Sequence, residues 1–498
     1  MRRLADCIAP WSAQTPGHPA VTDEGASWTY RELAARVEDA RRYLGGLGIG
    51  PGDRVMLVGE NGVALAALIL AAGTLDAWAV LENARRAPLE VDAIVRLAQP
   101  RRVVFVTANS PDAQAHAQRH GATAQYTPFG TVAAGAADAA SVPEPVEPGP
   151  DQVATLIYTT GSTGNPKGVM LTHRNLLHIA GLMRALRRLT PQDRVYGVLP
   201  ISHVMGLSSG LLGTLAAGAH IRLVPRFAPQ ACLEALAEQH ITILQGAPAM
   251  FARLVKAAPA GTRPGGALRF IAVGGAPLDP TLKTQVQACF GLTLHNGYGL
   301  TEASGSCWTR MDEEILDCSV GPPTPGMEVS IRDGEGRPLA PGVMGQLWLR
   351  GPNVMKGYYR EPGLTARALA ADGWFNSEDL AIQGPDGRIT ITGRAKDLII
   401  RSGFNVSPLE VEMALNSHAQ VQQSAVLGYP VQGNEEIIAV VEPAPGGPPG
   451  EQALQAYLAE RLSSYKRPTR IVFMEALPVA SNGKILKQQL RQQIGDIL

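Results

Sequence analysis

Net charge is what this sequence lacks most plainly: 44 acidic and 44 basic side chains cancel. Without a cationic excess, nothing draws the chain to nucleic acid or to an anionic bilayer. Cysteine is sparse. Cys7, Cys232, Cys289, Cys307 and Cys318 form no CxxC pair and leave an odd count. That argues against a disulfide framework or a structural zinc and suits a reducing cytosol. Long apolar runs are missing too: the longest, Val63–Leu75, is too short to span a bilayer and reads as a buried helix. No apolar run follows Arg2-Arg3, so an export signal is not expected, and Ala9–Gln14 reads as helix. A soluble, cytoplasmic protein is the expectation.

With 498 residues, 45% of them hydrophobic, the chain is large enough for more than one domain. Its most informative stretch is Leu156–His173, LIYTTGSTGNPKGVMLTH. A short apolar strand, Thr155–Tyr158, runs into Thr159, Thr160, Ser162 and Thr163 set among Gly161, Gly164 and Gly168, with one cation, Lys167. Hydroxyls, closely approachable backbone and an ammonium are what a polyphosphate needs. The bland alternative is a surface loop, but a linker has no need of this mix directly after a strand. A Walker A loop is excluded, because five residues past Gly161 stands Pro166 and Gly168 follows Lys167. The segment resembles the phosphate-binding loop of the adenylate-forming superfamily, which includes acyl- and aryl-CoA synthetases, peptide-synthetase adenylation domains and luciferases.

Along the chain, helical periodicity over Trp28–Leu47 places Leu33, Ala34, Val37, Ala40, Tyr43 and Leu44 on one face. Strands at Arg54–Gly59, Val103–Val106, Ile221–Pro225, Ile241–Gln245 and Phe270–Val273 alternate with helical segments such as Arg174–Leu186. This is the pattern of parallel sheets with crossover helices. Ala134–Pro150 reads as a surface connector without chemistry. The last hundred residues read as a small α+β domain. The resemblance implies an α/β fold: a large N-terminal domain over 1–393 with several α/β layers, and a small mobile C-terminal domain over 394–498.

The second motif is His295–Ser304, HNGYGLTEAS. Tyr298 offers a flat face for adenine, Thr301 a hydroxyl for the α-phosphate, and Glu302 a hard oxygen for Mg²⁺. The resemblance adds Gly275, Asn296 and Gly297 to the nucleotide site, Asp379 on the ribose hydroxyls, and Arg394 on ribose and phosphate. Asp379 otherwise reads as a turn aspartate. In VLPISHVMGL, His203 reads either as a satisfied half-buried side chain or, by resemblance, as lining the passage between carboxylate, ATP and thiol. The implied acyl pocket comprises His203, Val204, Met205, Leu207, Gly274 and Gly299. Amino-acid-activating relatives place an aspartate where Val204 stands, and no carboxylate here offers to hold an ammonium. Neither 200–210 nor the second motif supplies a cation for a dicarboxylate, so an apolar-tailed acid is expected.

For coenzyme A the resemblance implies Arg226, Ser402 and Gly403, although Arg226 reads equally as a solvated arginine. Plant-type ligases carry basic residues where Ile400 and Ser402 stand, with Arg401 as a substitute. Lys396 occupies the hinge position. Asn482-Gly483 is a tight-turn signal that projects Lys484, which is a solvated lysine or, by resemblance, the catalytic one. The implied chemistry is carboxylate attack on ATP, assisted by Thr163, Glu302, His203 and Lys484, then thioester formation with CoA. The implied partners are an acid, ATP and CoA, for a monomer or homodimer. Loading of a separate carrier protein, a degenerate sensor of ATP or acyl groups, and a luciferase-like oxygenase are the alternatives.

Overall fold

The computed structural model describes residues 2–160, 166–258, 266–313, 315, 317–401, 404–431, 434–479 and 485–495. Its centre follows from one apolar segment. The helix Val63–Thr74 is buried from Val63 to Gly73 on every side, and a helix without a polar face has to be enclosed. It packs on strands Arg54–Gly59 and Trp78–Asn83 of one eight-stranded sheet and on the helix Tyr30–Gly46. That helix in turn packs on Pro19–Thr22 and Ser27–Thr29, strands of a second eight-stranded sheet. Helix His173–Leu186 touches strands of both sheets, Pro166–Thr172 and Ala303–Trp308. The two sheets therefore share one helical filling. Their outer faces carry helices Pro88–Ala98 and Pro111–Arg119 on the first sheet. Helices Pro229–Glu238, Pro248–Ala257 and Pro280–Phe290 cover the second. Strands enclosed on both faces read as apolar runs rather than alternations, as Arg54–Gly59 does.

Two expectations change. The helix expected over Trp28–Leu47 begins at Tyr30, because Thr29 and Glu32 form a capping box that stops it there. Ser27–Thr29 is extended instead and pairs with Pro19–Thr22. The Ala134–Pro150 connector is also less idle than its composition suggests. Arg54 is fully buried, and its guanidinium donates to the Val142 carbonyl at 2.6 Å and to Ser141 Oγ at 3.1 Å. The connector thus straps over a buried cation and satisfies it.

Strands Glu328–Arg332, Gly345–Arg350, Phe375–Gln383 and Ile389–Arg394 form an antiparallel four-stranded sheet. Beyond it the chain builds a separate α+β unit. Val421–Val431 and Asn434–Pro443 pair antiparallel, and Arg470–Phe473 joins in parallel. Their alternation serves two cores. Val426, Ile437 and Ala439 meet Val411, Leu415, Leu454 and Leu458 on one face. Ala425, Leu427 and Ile438 meet Leu477, Leu490 and Ile494 on the other. Among the described residues, no helix is long and apolar enough to cross a membrane.

Candidate active site

Parallel strands deliver their C-terminal ends to one edge, and open α/β sheets bind ligands there. Here both large sheets do so into a single cleft of about 2640 Å³. Asn83, Thr159, Val198, Pro225, Pro248 and Gly274, each at or just after a strand end, line it on one side. Met413, Val479, Ile485 and Lys487 of the small unit line the other.

The phosphate-loop segment is a hairpin. Strands Val153–Thr160 and Pro166–Thr172 pair with Thr159 opposite Lys167. Gly168 is required there, since a Cβ would stand 2.9 Å from the Tyr158 ring. The loop residues Gly161, Ser162, Thr163 and Gly164 lie outside the described residues, as do the Thr160 side chain, Ser402, Gly403 and Lys484. Of the flanking residues, Thr159 and Lys167 line the cleft, and so does Ile485, next to Lys484.

The second motif is a hairpin too. Leu294–Leu300 and Ala303–Trp308 pair antiparallel with Leu300 opposite Ala303, so Thr301 and Glu302 are its two-residue turn. Gly299 has to be glycine, because a Cβ there would meet the Gly305 nitrogen at 2.5 Å. The turn presents Glu302 to the first hairpin. The Tyr358 hydroxyl donates to Glu302 Oε1 at 2.9 Å, and Lys167 Nζ stands 5.4 Å from the centroid of the same tyrosine ring. Burial raises the Glu302 carboxyl above the usual range, opposed by Tyr358, Arg394 and Lys167. A half-buried carboxylate facing the cleft beside cations suits a metal that comes with its phosphates. Among the described residues no three His, Cys, Asp or Glu side chains are grouped to hold a resident ion.

Asp379 and Arg394 face each other across paired strands, so register alone brings them together. Arg394 Nε donates to Asp379 Oδ1 at 2.8 Å, and the Tyr298 hydroxyl donates to Oδ2 at 2.5 Å. All three line the cleft, with Gly275, Thr301 and Asn296. Asn296, however, spends its amide on the carbonyls of Cys318 and Ser319.

In the acyl region His203, Val204, Met205, Gly274, Gly297 and Gly299 line the cleft. Leu207 corrects the sequence expectation: it faces the core at 0% exposure, because two residues along a helix from Met205 the side chain turns away. Removal from water pushes His203 down to about 4, aided by the charge of Arg86. Its imidazole is therefore neutral at pH 7.

Arg226 lines the cleft, but it is not the free cation that the CoA expectation needs. Nε and Nη2 bind Glu60 at 2.9 and 3.0 Å, and Nη2 also binds Asp112 at 2.8 Å. Arg401 likewise serves its own unit, donating to the carbonyls of Tyr465 and Arg467. Lys396 sits in the turn Ala395–Asp397, 3.7 Å from Glu378.

Arg86 lies in Trp78–Pro88, WAVLENARRAP, a stretch that resembles an early loop of the same superfamily and that by itself gives the arginine no role. Arg86 Nε lies 2.5 Å from the buried Glu82, and Nη2 donates to the carbonyl of Tyr158, two residues before the end of strand Val153–Thr160. Tyr358 lies at the end of the stretch Gly345–Tyr359, which the sequence marks as part of the large domain without a role for the tyrosine, and Trp308 lies in no such stretch. Only the folded chain brings Tyr358 against Glu302.

Residues 8–359 match the family described as AMP-binding enzyme, and residues 410–484 match the AMP-binding enzyme C-terminal domain. The chain is 34% identical over 488 residues to a feruloyl-CoA synthase of Amycolatopsis sp, covering 97% of each. It is 35% identical over 349 residues to the medium-chain fatty-acid–CoA ligase of Escherichia coli, covering 69% of this chain and 62% of that one. ATP-bound MatB from Rhodopseudomonas palustris superimposes over 100% of both chains with a TM-score of 0.87 at 30% identity. The chain belongs to the AMP-binding enzyme family.

Proposed function

We propose that this protein joins a carboxylic acid to coenzyme A in two steps, through an acyl-adenylate. The observation that carries the reading is the meeting of Lys167 and Glu302, from two distant hairpins, at Tyr358 in one cleft. First, a carboxylate oxygen attacks the α-phosphorus of ATP and pyrophosphate leaves. Two anions have to approach, so catalysis is positioning and charge neutralisation. Thr159, Thr160, Gly161, Ser162, Thr163, Gly164 and Lys167 hold the outer phosphates, and Asp379 with Arg394 holds the ribose. Lys484 bridges the attacking carboxylate and the phosphate oxygens. Glu302 would hold a Mg²⁺ arriving with ATP, which would offset phosphate charge.

In the second step the CoA thiol attacks the adenylate carbonyl and AMP leaves. We place the domain boundary at residues 393 and 394, with the small unit turning about Lys396 to withdraw Lys484 and present Gly403. Val204, Met205 and Trp308 make the near acyl wall apolar, which favours an aromatic or alkyl body over an α-amino acid. The feruloyl-CoA and medium-chain relatives span that same range of acids. A separate carrier protein is the alternative acceptor, and the ion pairs that occupy Arg226 are the observation that keeps it open.

The test is pyrophosphate release with ATP and a panel of benzoates, cinnamates and C4–C16 fatty acids, each with and without CoA. A CoA ligase needs CoA for multiple turnovers and yields the thioester. Adenylate formation indifferent to CoA points to a carrier protein.

A further inference from the structure

Among the described residues, one buried guanidinium has neither an ion-pair partner nor acceptors for all its N–H groups. Arg187 caps the C-terminus of helix His173–Leu186 and is 2% exposed. Its Nη1 donates to the Ser209 carbonyl at 3.2 Å. Nε and Nη2 meet no acceptor among the described residues. The guanidinium stands 4.8 Å from the Trp308 ring centroid and 5.8 Å from that of Phe270. Aromatic faces stabilise a cation, but they do not accept its in-plane N–H groups. Burial pushes the group down to about 9, and no anion among the described residues offsets it. A neighbouring ring brings none: His295, stacked on Phe270 at 4.8 Å, is itself pushed down to about 4, first by burial and then by Lys283 and Arg187.

Its position gives the unpaired charge a meaning. Ser209 and Trp308, two residues Arg187 touches, both line the cleft together with Met205, Gly297 and Gly305. Gly297 lies against the Trp308 ring, so closely that a Cβ would approach it to 2.8 Å. The Trp308 indole N–H also lacks an acceptor among the described residues. Unpartnered donors thus gather behind the inner acyl wall, one side chain beyond its lining. Neither 200–210 nor 295–304 carries a lysine or an arginine. Arg187 arrives from a helix terminus instead.

We propose that the acid activated here has an apolar body and a hydrogen-bond-accepting oxygen at the end distal to its carboxyl group, and that Arg187 is the specificity residue that receives it past the edge of Trp308. This rests on the CoA-ligase reading and names its substrate class. The oxygen belongs to a hydroxyl or to a second acid group. A site built to pair a substrate oxygen rejects the analogue without it, because the buried donors are then left unmet.

Matched pairs test this: cinnamate against 4-hydroxycinnamate, and hexanoate against hexanedioate, with ATP and CoA, on wild type and Arg187→Met. The expected result is at least about ten-fold higher kcat/KM for the oxygen-bearing member of one pair. The responding pair distinguishes hydroxyl from acid. Arg187→Met should abolish that preference through KM while leaving the plain acid within about three-fold, for a protein whose thermal unfolding is checked in parallel. Where Arg187→Met is not recovered folded, Arg187→Lys is scored on the same discrimination, since it keeps the charge but loses the planar fork. Wild type preferring the plain acid in both pairs overturns the proposal, as does a variant that loses both members equally. Absence of pyrophosphate release with every acid overturns the ligase reading instead.

Discussion

At the scale of single residues, the site separates charge supply from charge placement. Glu302 is held in place by Tyr358, within the influence of the charges of Arg394 and Lys167. Glu302→Gln keeps its shape and removes its charge. Pyrophosphate release at saturating ATP should fall by about 10²–10³-fold, with a weaker apparent affinity for Mg²⁺. An unchanged Mg²⁺ dependence would remove Glu302 from the metal. Lys484→Ala should lose adenylation yet still convert supplied acyl-AMP to thioester, and loss of both steps would sink the bridging role. His295 gives a prediction about stability. Folding lowers its pKa from about 6.5 in the unfolded chain to about 4, so the unfolded chain binds the extra proton. The contribution of the neutral ring is present above about 6.5 and lost as pH falls toward 4. Between pH 7 and 5, the stability advantage of wild type over His295→Asn should shrink by about 2 kcal/mol in urea unfolding. A constant gap would contradict the assigned shift.

At the scale of elements, motifs were legible and their partners were not. Both glycine-containing stretches could be read because polyphosphate chemistry constrains consecutive residues, and both became hairpins facing one cleft. Leu207 and Arg226 show the limit. Whether a residue two places beyond Met205 faces cavity or core depends on the helix phase. Whether an arginine is free depends on Glu60 and Asp112, which stand 166 and 114 positions away. Composition also hid the role of the strap over Arg54. Arg54→Met should strand the carbonyls of Ala98, Gln99 and Val142 and cost about 3–5 kcal/mol in chemical unfolding. A change within about 0.5 kcal/mol would mean that the strap is a mere connector. The turn at Ala395–Asp397 is the element that the proposed domain rotation needs. Lys396→Pro should slow thioester formation more than adenylation, and equal losses in the two half-reactions would remove the hinge.

At the scale of the whole molecule, strand–helix alternation and the order of motifs were enough to foresee layered α/β architecture with a small terminal α+β unit. They were not enough to foresee that two eight-stranded sheets share one helical filling, because that depends on which faces meet. The shared filling holds the two sheets in a fixed relation, so their strand ends form one cleft rather than two. The small unit, with cores of its own, closes that cleft from the other side. This division of labour suits a reaction in which one part binds and the other changes what faces the intermediate. The most direct test is the product balance of the complete reaction with ATP, CoA and an accepted acid. One AMP and one pyrophosphate formed per thioester is the result this account predicts, and ADP with inorganic phosphate would contradict it.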